Sequence, residues 1–213
     1  MNKISQFRGT LIPFDRSNID TDAILPKQYL KMLDKTGYGD FLFDDERYLD
    51  PGDSETPLQT RRKNQNFILN IPPYNRGTIL VSKKNFGCGS SREHAVWAIR
   101  DFGIRVIIAE SFGEIFFNNC IKNGVAPIIL GEEQVASLLN VANKNPDTLV
   151  RVDLSEGTLS LNGNQIAFSL HPSHRTSLSE GLDEIEETLS IGDKIRAYER
   201  SRLQSEPWVF VNF

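Results

Sequence analysis

Apolar positions along this chain keep two different rhythms, and the change between them divides it. From residue 78 to 142, short apolar runs at 78–81, 105–109 and 126–130 alternate with stripes at helical spacing. Ala95, Ala98, Ile99 and Phe102 recur at i, i+3, i+4 and i+7; Phe116, Phe117 and Cys120 mark a second helix; Val135, Ala136, Leu138, Leu139 and Ala142 mark a third. Strands alternating with helices predict right-handed parallel βαβ units. Residues 7–13 are apolar enough for a strand ahead of them. After residue 149 the rhythm changes to strand-like runs at 149–154 and 158–170, where Asn162-Gly163 is a strong hairpin signal. Residues 177–202 are helical and charged, and the tail from 205 to 213 carries aromatics. The expected fold class is therefore mixed α/β, with βαβ units and a C-terminal β-hairpin plus helices.

Two stretches break the periodicity. Pro26 opens a short helical piece at 26–33, and Gly37 and Gly39 end it, a composition that suits a segment able to move. Residues 44–74 are polar and proline-punctuated, and their one basic cluster, Arg61-Arg62-Lys63, reads as part of a solvated loop. The expectation is a single domain over 1–213, with a mobile loop near 27–45 and a helical extension near 177–213.

With 213 residues, 39% hydrophobic and 24% charged, the chain can bury a sizeable core. A net charge of −4 and a pI near 5.5 argue against nucleic acid or an anionic membrane as the main partner. No 18-residue apolar run exists and the N-terminus lacks a secretory pattern, so the cytoplasm is the expected location. Cys88 and Cys120 are the only cysteines, which excludes a disulfide framework and a four-cysteine cluster site on this chain. His171 and His174 lie three apart, but Pro172 prevents a helical metal pair, and no metal site is expected.

The chemistry concentrates in Asn85-Phe86-Gly87-Cys88-Gly89-Ser90-Ser91-Arg92-Glu93-His94, between a strand and a helix. Gly87 and Gly89 let the backbone approach a ligand, the helix start offers unpaired N–H donors, and Arg92 adds a planar, permanently charged fork. The expected guest is a small carboxylate. Ser90 to Glu93 also fits a capping box, as does Ser111 to Glu114, though a cap needs only one hydroxyl. The stretch lacks the Lys-Ser/Thr of a phosphate loop, the third glycine of a dinucleotide fold and a G-x-S-x-G elbow. Cys88 with His94 as base would be the alternative of a hydrolase nucleophile.

Together with Asn18-Ile19-Asp20-Thr21-Asp22 and Pro26-Lys27-Gln28-Tyr29-Leu30-Lys31, this stretch resembles the small subunits of bacterial 3-isopropylmalate dehydratase. Those subunits are the swivelling β/β/α domain of the aconitase superfamily, and the similarity runs from about residue 9 to about residue 200. The resemblance implies dehydration and rehydration of 2-isopropylmalate in leucine biosynthesis. Ser90 would be the catalytic base, and Ser91 and Arg92 would bind substrate carboxylate. Tyr29, Leu30 and Lys31 would belong to the loop that recognises the substrate side group, with Gly87, Gly89, Thr21 and Asp22 supporting the site. It also implies a large subunit as partner, bearing a four-iron four-sulfur cluster, since this chain holds no ligand set for one. Citramalate and homoaconitate enzymes share the serine motif, and a stand-alone carboxylate-binding module would use the same pocket.

Overall fold

The computed structural model describes residues 3–32, 34–182 and 184–209. Its central element is β1 (Gln6–Phe14), whose two halves serve different neighbours. The C-terminal half pairs in parallel with β2 (Ile79–Ser82), in the register Leu11 to Ile79. The N-terminal half pairs antiparallel with β5 (Leu149–Asp153), Gln6 opposite Asp153. One long strand thus joins a parallel and an antiparallel part into a seven-stranded sheet of order β4-β3-β2-β1-β5-β6-β7.

The parallel part adds β3 (Val106–Ala109) and β4 (Ala126–Ile129), linked through α3 (Glu93–Phe102) and α4 (Glu114–Lys122); α1 (Thr21–Ile24) and α2 (Asp44–Arg47) are single turns between β1 and β2. Alternation sends Leu80 and Ile107 into one core, with α3 and the aromatics of the first third of the chain. Ile79, Val81, Val106 and Ile108 enter a second core, with α5 (Glu132–Lys144). Both faces are covered, which is why these strands read as unbroken apolar runs. Pro127 lies in β4, the edge strand, where a missing N–H costs least. The antiparallel part is completed by β6 (Thr158–Leu161) and β7 (Asn164–Ala167), the expected hairpin about Asn162-Gly163. The mixed α/β class holds.

The stretch 44–74 departs from the solvated loop expected of it. Phe67 and Leu69 are buried, and Arg61 pairs with Asp44 at 2.6 Å with both side chains almost wholly enclosed. Burying a guanidinium is costly, and here Asp44 meets both of its terminal nitrogens while the Asp50 carbonyl accepts further bonds. Tyr48 lies 4.1 Å beneath it. Arg62 and Lys63 do face solvent, as the sequence pattern suggested. The stretch 27–45, read as mobile, buries Tyr29, Tyr38, Phe41, Leu42 and Phe43. Leu33 lies outside the described residues.

α6 (Pro172–Glu180) closes the first compact unit, 1–181. The second unit, 182–213, holds α7 (Glu184–Ser190) and α8 (Gly192–Ser205), and α8 contains no buried residue. The aromatic tail at 210–213 lies outside the described residues. Among the described residues, no helix is long and apolar enough to cross a membrane.

Candidate active site

Beyond β2 the chain enters a loop built on left-handed backbone at Asn85, Gly87 and Gly89. Two neighbouring segments clamp it. On one side Gly87 and Cys88 both donate their N–H to the Ile19 carbonyl, at 2.7 and 3.1 Å, and Thr21 donates its own N–H to the Cys88 carbonyl. The Thr21 hydroxyl also donates to the Ser90 carbonyl at 2.8 Å. On the other side Phe86 donates its N–H to the Ser111 carbonyl and Gly113 donates to the Phe86 carbonyl, while the Ser111 hydroxyl accepts from the Asn85 N–H. Ser111 is thereby spent on the loop, and Gly113 rather than Ser111 stands at the N-cap of α4, so no capping box forms there.

Glycine is required at position 87 for two reasons: its φ is +71°, and a Cβ there would meet the Phe116 ring at 2.1 Å. A Cβ on Gly113 would meet the Gly87 carbonyl oxygen at 2.5 Å. The start of α4 and the glycine loop are therefore in direct backbone contact.

α3 begins only at Glu93. Arg92 is its N-cap, still extended at φ −132° and ψ 110°, and no side chain caps the helix. The capping box from Ser90 to Glu93 is accordingly absent, because Glu93 sits one residue past the cap instead of three. Its carboxylate accepts instead from Asn123 Nδ2 at 2.8 Å, and Asn123 Oδ1 accepts from the Trp97 indole. Ser90 and Ser91 are left exposed just ahead of an uncapped helix start. Arg92 is largely enclosed and ion-pairs with the exposed carboxylate of Asp22.

A cavity of about 180 Å³ lies at this junction, lined by Thr21, the loop from Gly87 to Ser90, Arg92 and residues 113–116. It brings together Ser90, Arg92, Gly87, Gly89 and Thr21, and reaches Asp22 through Arg92. Ser91 does not line it. Nor do the three residues expected to recognise the side group. Tyr29 is wholly buried, stacked on Phe41 at 4.1 Å with its hydroxyl accepting from Arg61, and burial pushes its phenol well above the ordinary range. Leu30 packs against the first core, and Lys31 faces solvent. Tyr29 went to the core because a proline-led turn placed its ring against Phe41.

Cys88 lines the cavity, but His94 turns its ring onto Trp97, 4.5 Å away, and Tyr38, 5.6 Å away. Burial there depresses the imidazole pKa. Cys120 is fully buried and its thiol is pushed up. Among the described residues no three His, Cys, Asp or Glu side chains cluster so as to hold a metal ion. The two cysteines do not fit the ligand set of an iron–sulfur cluster. The cavity-lining residues that the sequence pattern did not mark for the site are Gly113, Glu114, Ile115 and Phe116; Glu114 read as part of a capping box and Phe116 as helix core.

The family described as the aconitase C-terminal domain matches residues 1–133, and the C-terminal domain of the 3-isopropylmalate dehydratase small subunit matches 188–211. Proteins named 3-isopropylmalate dehydratase small subunit are similar over nearly the whole chain. That of Marinobacter nauticus is 47% identical over 99% of this chain and 98% of its own. That of Methylibium petroleiphilum is 48% identical over 95% and 94%. A crystal structure of 3-isopropylmalate dehydratase from Methanocaldococcus jannaschii superimposes with a TM-score of 0.60 at 27% identity, covering 91% of this chain and 99% of that one.

Proposed function

The chain belongs to the family of 3-isopropylmalate dehydratase small subunits, and from that premise we propose how its cavity serves the hydro-lyase. In this reaction 2-isopropylmalate loses water to isopropylmaleate, and water returns with the hydroxyl on the neighbouring carbon, giving 3-isopropylmalate for leucine biosynthesis. One proton must leave a carbon next to a carboxylate and later be given back. Ser90 is the base that takes it and the acid that returns it. A serine hydroxyl is a poor base in water because its alkoxide is unstabilised. Beside the open first turn of α3 and the guanidinium of Arg92, that negative charge meets fixed positive potential.

Arg92 holds a substrate carboxylate, with Asp22 orienting the guanidinium, and the exposed Ser91 hydroxyl is a further donor to it. Thr21 fixes the loop through the Ser90 carbonyl. The observation that carries this reading is the convergence of Ser90, Arg92 and an uncapped helix start on one cavity. The departing hydroxyl needs an electrophile, and the cysteines of this chain do not fit a cluster that would supply one. A four-iron four-sulfur cluster is accordingly assigned to a large partner subunit, the two working together in the cytoplasm.

The test is reconstitution with that subunit under anaerobic conditions. The purified chain alone should be folded and inactive, and isopropylmalate dehydration should appear on adding the partner. Ser90→Ala should abolish turnover in the reconstituted enzyme while leaving thermal unfolding unchanged, since Ser90 caps nothing. Near-normal turnover by Ser90→Ala would remove Ser90 from the chemistry.

A further inference from the structure

We propose that Asn123 is a positioning residue of the dehydratase site: it holds the Glu93 carboxylate away from the start of α3, and so keeps that helix's open N–H groups and Arg92 for the substrate carboxylate. The inference rests on the cavity's use as the dehydratase site. Glu93 is the first residue of α3 and directly follows Arg92. An acid in a first turn is ordinarily drawn to the unpaired N–H groups and positive potential there, and one beside Arg92 is drawn to the guanidinium as well. Those are the groups that the cavity offers its ligand. Yet no side chain caps α3, and Glu93 reaches across to Asn123 instead.

Asn123 itself has no freedom to let go. It is the C-cap of α4, and its N–H donates to the Asn119 and Cys120 carbonyls at 3.1 and 3.2 Å. Its Nδ2 donates to Glu93 at 2.8 Å and to the Asn119 carbonyl at 2.9 Å, while Oδ1 accepts from the Trp97 indole at 2.9 Å. Both donors of the amide and one acceptor are thereby used. Trp97 is 8% exposed and fixes which way the amide points, since a flipped amide would set Nδ2 against the indole N–H, donor to donor. The other end of α4 is docked on the serine loop through Gly113 and lines the cavity. One helix thus walls the cavity at its start and, at its end, draws off the acid that would compete for the cavity's charge.

The experiment measures kcat and KM for isopropylmalate in the reconstituted enzyme with Asn123→Ala, Glu93→Ala and the two combined. Asn123→Ala frees the carboxylate and should raise KM about fivefold, the factor that an exposed ion pair is worth, with kcat unchanged because Ser90 is untouched. Glu93→Ala should leave KM at the parent value, and the double variant should return to it. Thermal unfolding should not recover in the double variant, since the Trp97 indole has still lost its acceptor. A mere brace between the helices would behave otherwise: Glu93→Ala would raise KM as much as Asn123→Ala, and the double variant would stay impaired. That pattern overturns the inference, as does an unchanged KM in Asn123→Ala. Should Asn123→Ala not fold, Asn123→Asp takes its place in the same comparison, because it keeps an acceptor for Trp97 but cannot donate to Glu93. Ser90→Ala is run alongside: if it keeps turnover, the reading of the cavity falls and takes this inference with it. If it is dead while the KM pattern is that of a brace, the inference alone is lost.

Discussion

Arg92 is the residue whose environment decides what the cavity binds. Its partner in the free subunit is Asp22, a half-exposed carboxylate, and an ion pair with so much solvent about it is worth no more than about 1 kcal/mol. A substrate carboxylate thus meets a guanidinium already aimed but not tightly held. Arg92→Lys should raise KM and lower kcat/KM by at least about tenfold in steady-state assays, since an ammonium cannot offer two parallel donors. Asp22→Asn should cost no more than about fivefold, by the size of the pair. A second residue-scale effect concerns His94. Its pKa lies below the ordinary 6.5, chiefly through burial, so well above pH 6.5 it is neutral folded or unfolded and contributes no pH dependence. As pH falls below 6.5 the unfolded chain takes the proton first, and stability is lost until the folded pKa is passed. Denaturant midpoints for His94→Gln should fall less steeply over that acid range than those of the parent chain. That Ser90 and Arg92 come to one cavity was legible in the sequence because both follow the same glycine turn between a strand and a helix. Arg61 was not, because one charged residue beside two exposed ones carries no mark of the carboxylate, seventeen positions away, that neutralises it.

At the scale of elements, the parallel strands and their helices could be read from periodicity because both sheet faces are buried and apolar runs follow. The long connection between β1 and β2 could not. It forms single turns of helix around buried aromatics, and neither period holds for long enough to be seen. The same limit hid the docking of α4 on the serine loop, which is made by backbone contacts between Gly87 and Gly113 that side-chain patterns do not record. Those contacts predict the cost of disturbing them. Gly87→Ala adds a left-handed penalty of about 1–2 kcal/mol and drives a methyl into the Phe116 ring, for about 1–3 kcal/mol more. Urea unfolding should show a loss of about 2 kcal/mol or more. Turnover should fall along with it because Ser90 rides on the same loop. Gly103 also has positive φ, but with open space around it, so Gly103→Asn should cost far less and leave activity intact.

Over the whole molecule, the buried apolar side chains of the described residues all lie between Ile4 and Leu178, within the first compact unit. The second unit carries Ile185, Leu189, Tyr198, Leu203 and Trp208 at half exposure or more, and its longer helix contains no fully buried residue. The hydrophobic effect scales with area removed from water, so a segment that removes so little supplies little of the folding free energy. Composition alone did not reveal this, since helical spacing of apolar residues looks the same whether or not anything covers them. A chain shortened to end at Gly181 should therefore unfold in one cooperative transition, with a midpoint within about 4 °C of the full chain, equivalent to about 1 kcal/mol for a domain of this size. Differential scanning calorimetry of both chains decides the matter. A midpoint lowered well beyond that range, or loss of the single transition, would mean that residues 182–213 complete a core that their exposure conceals.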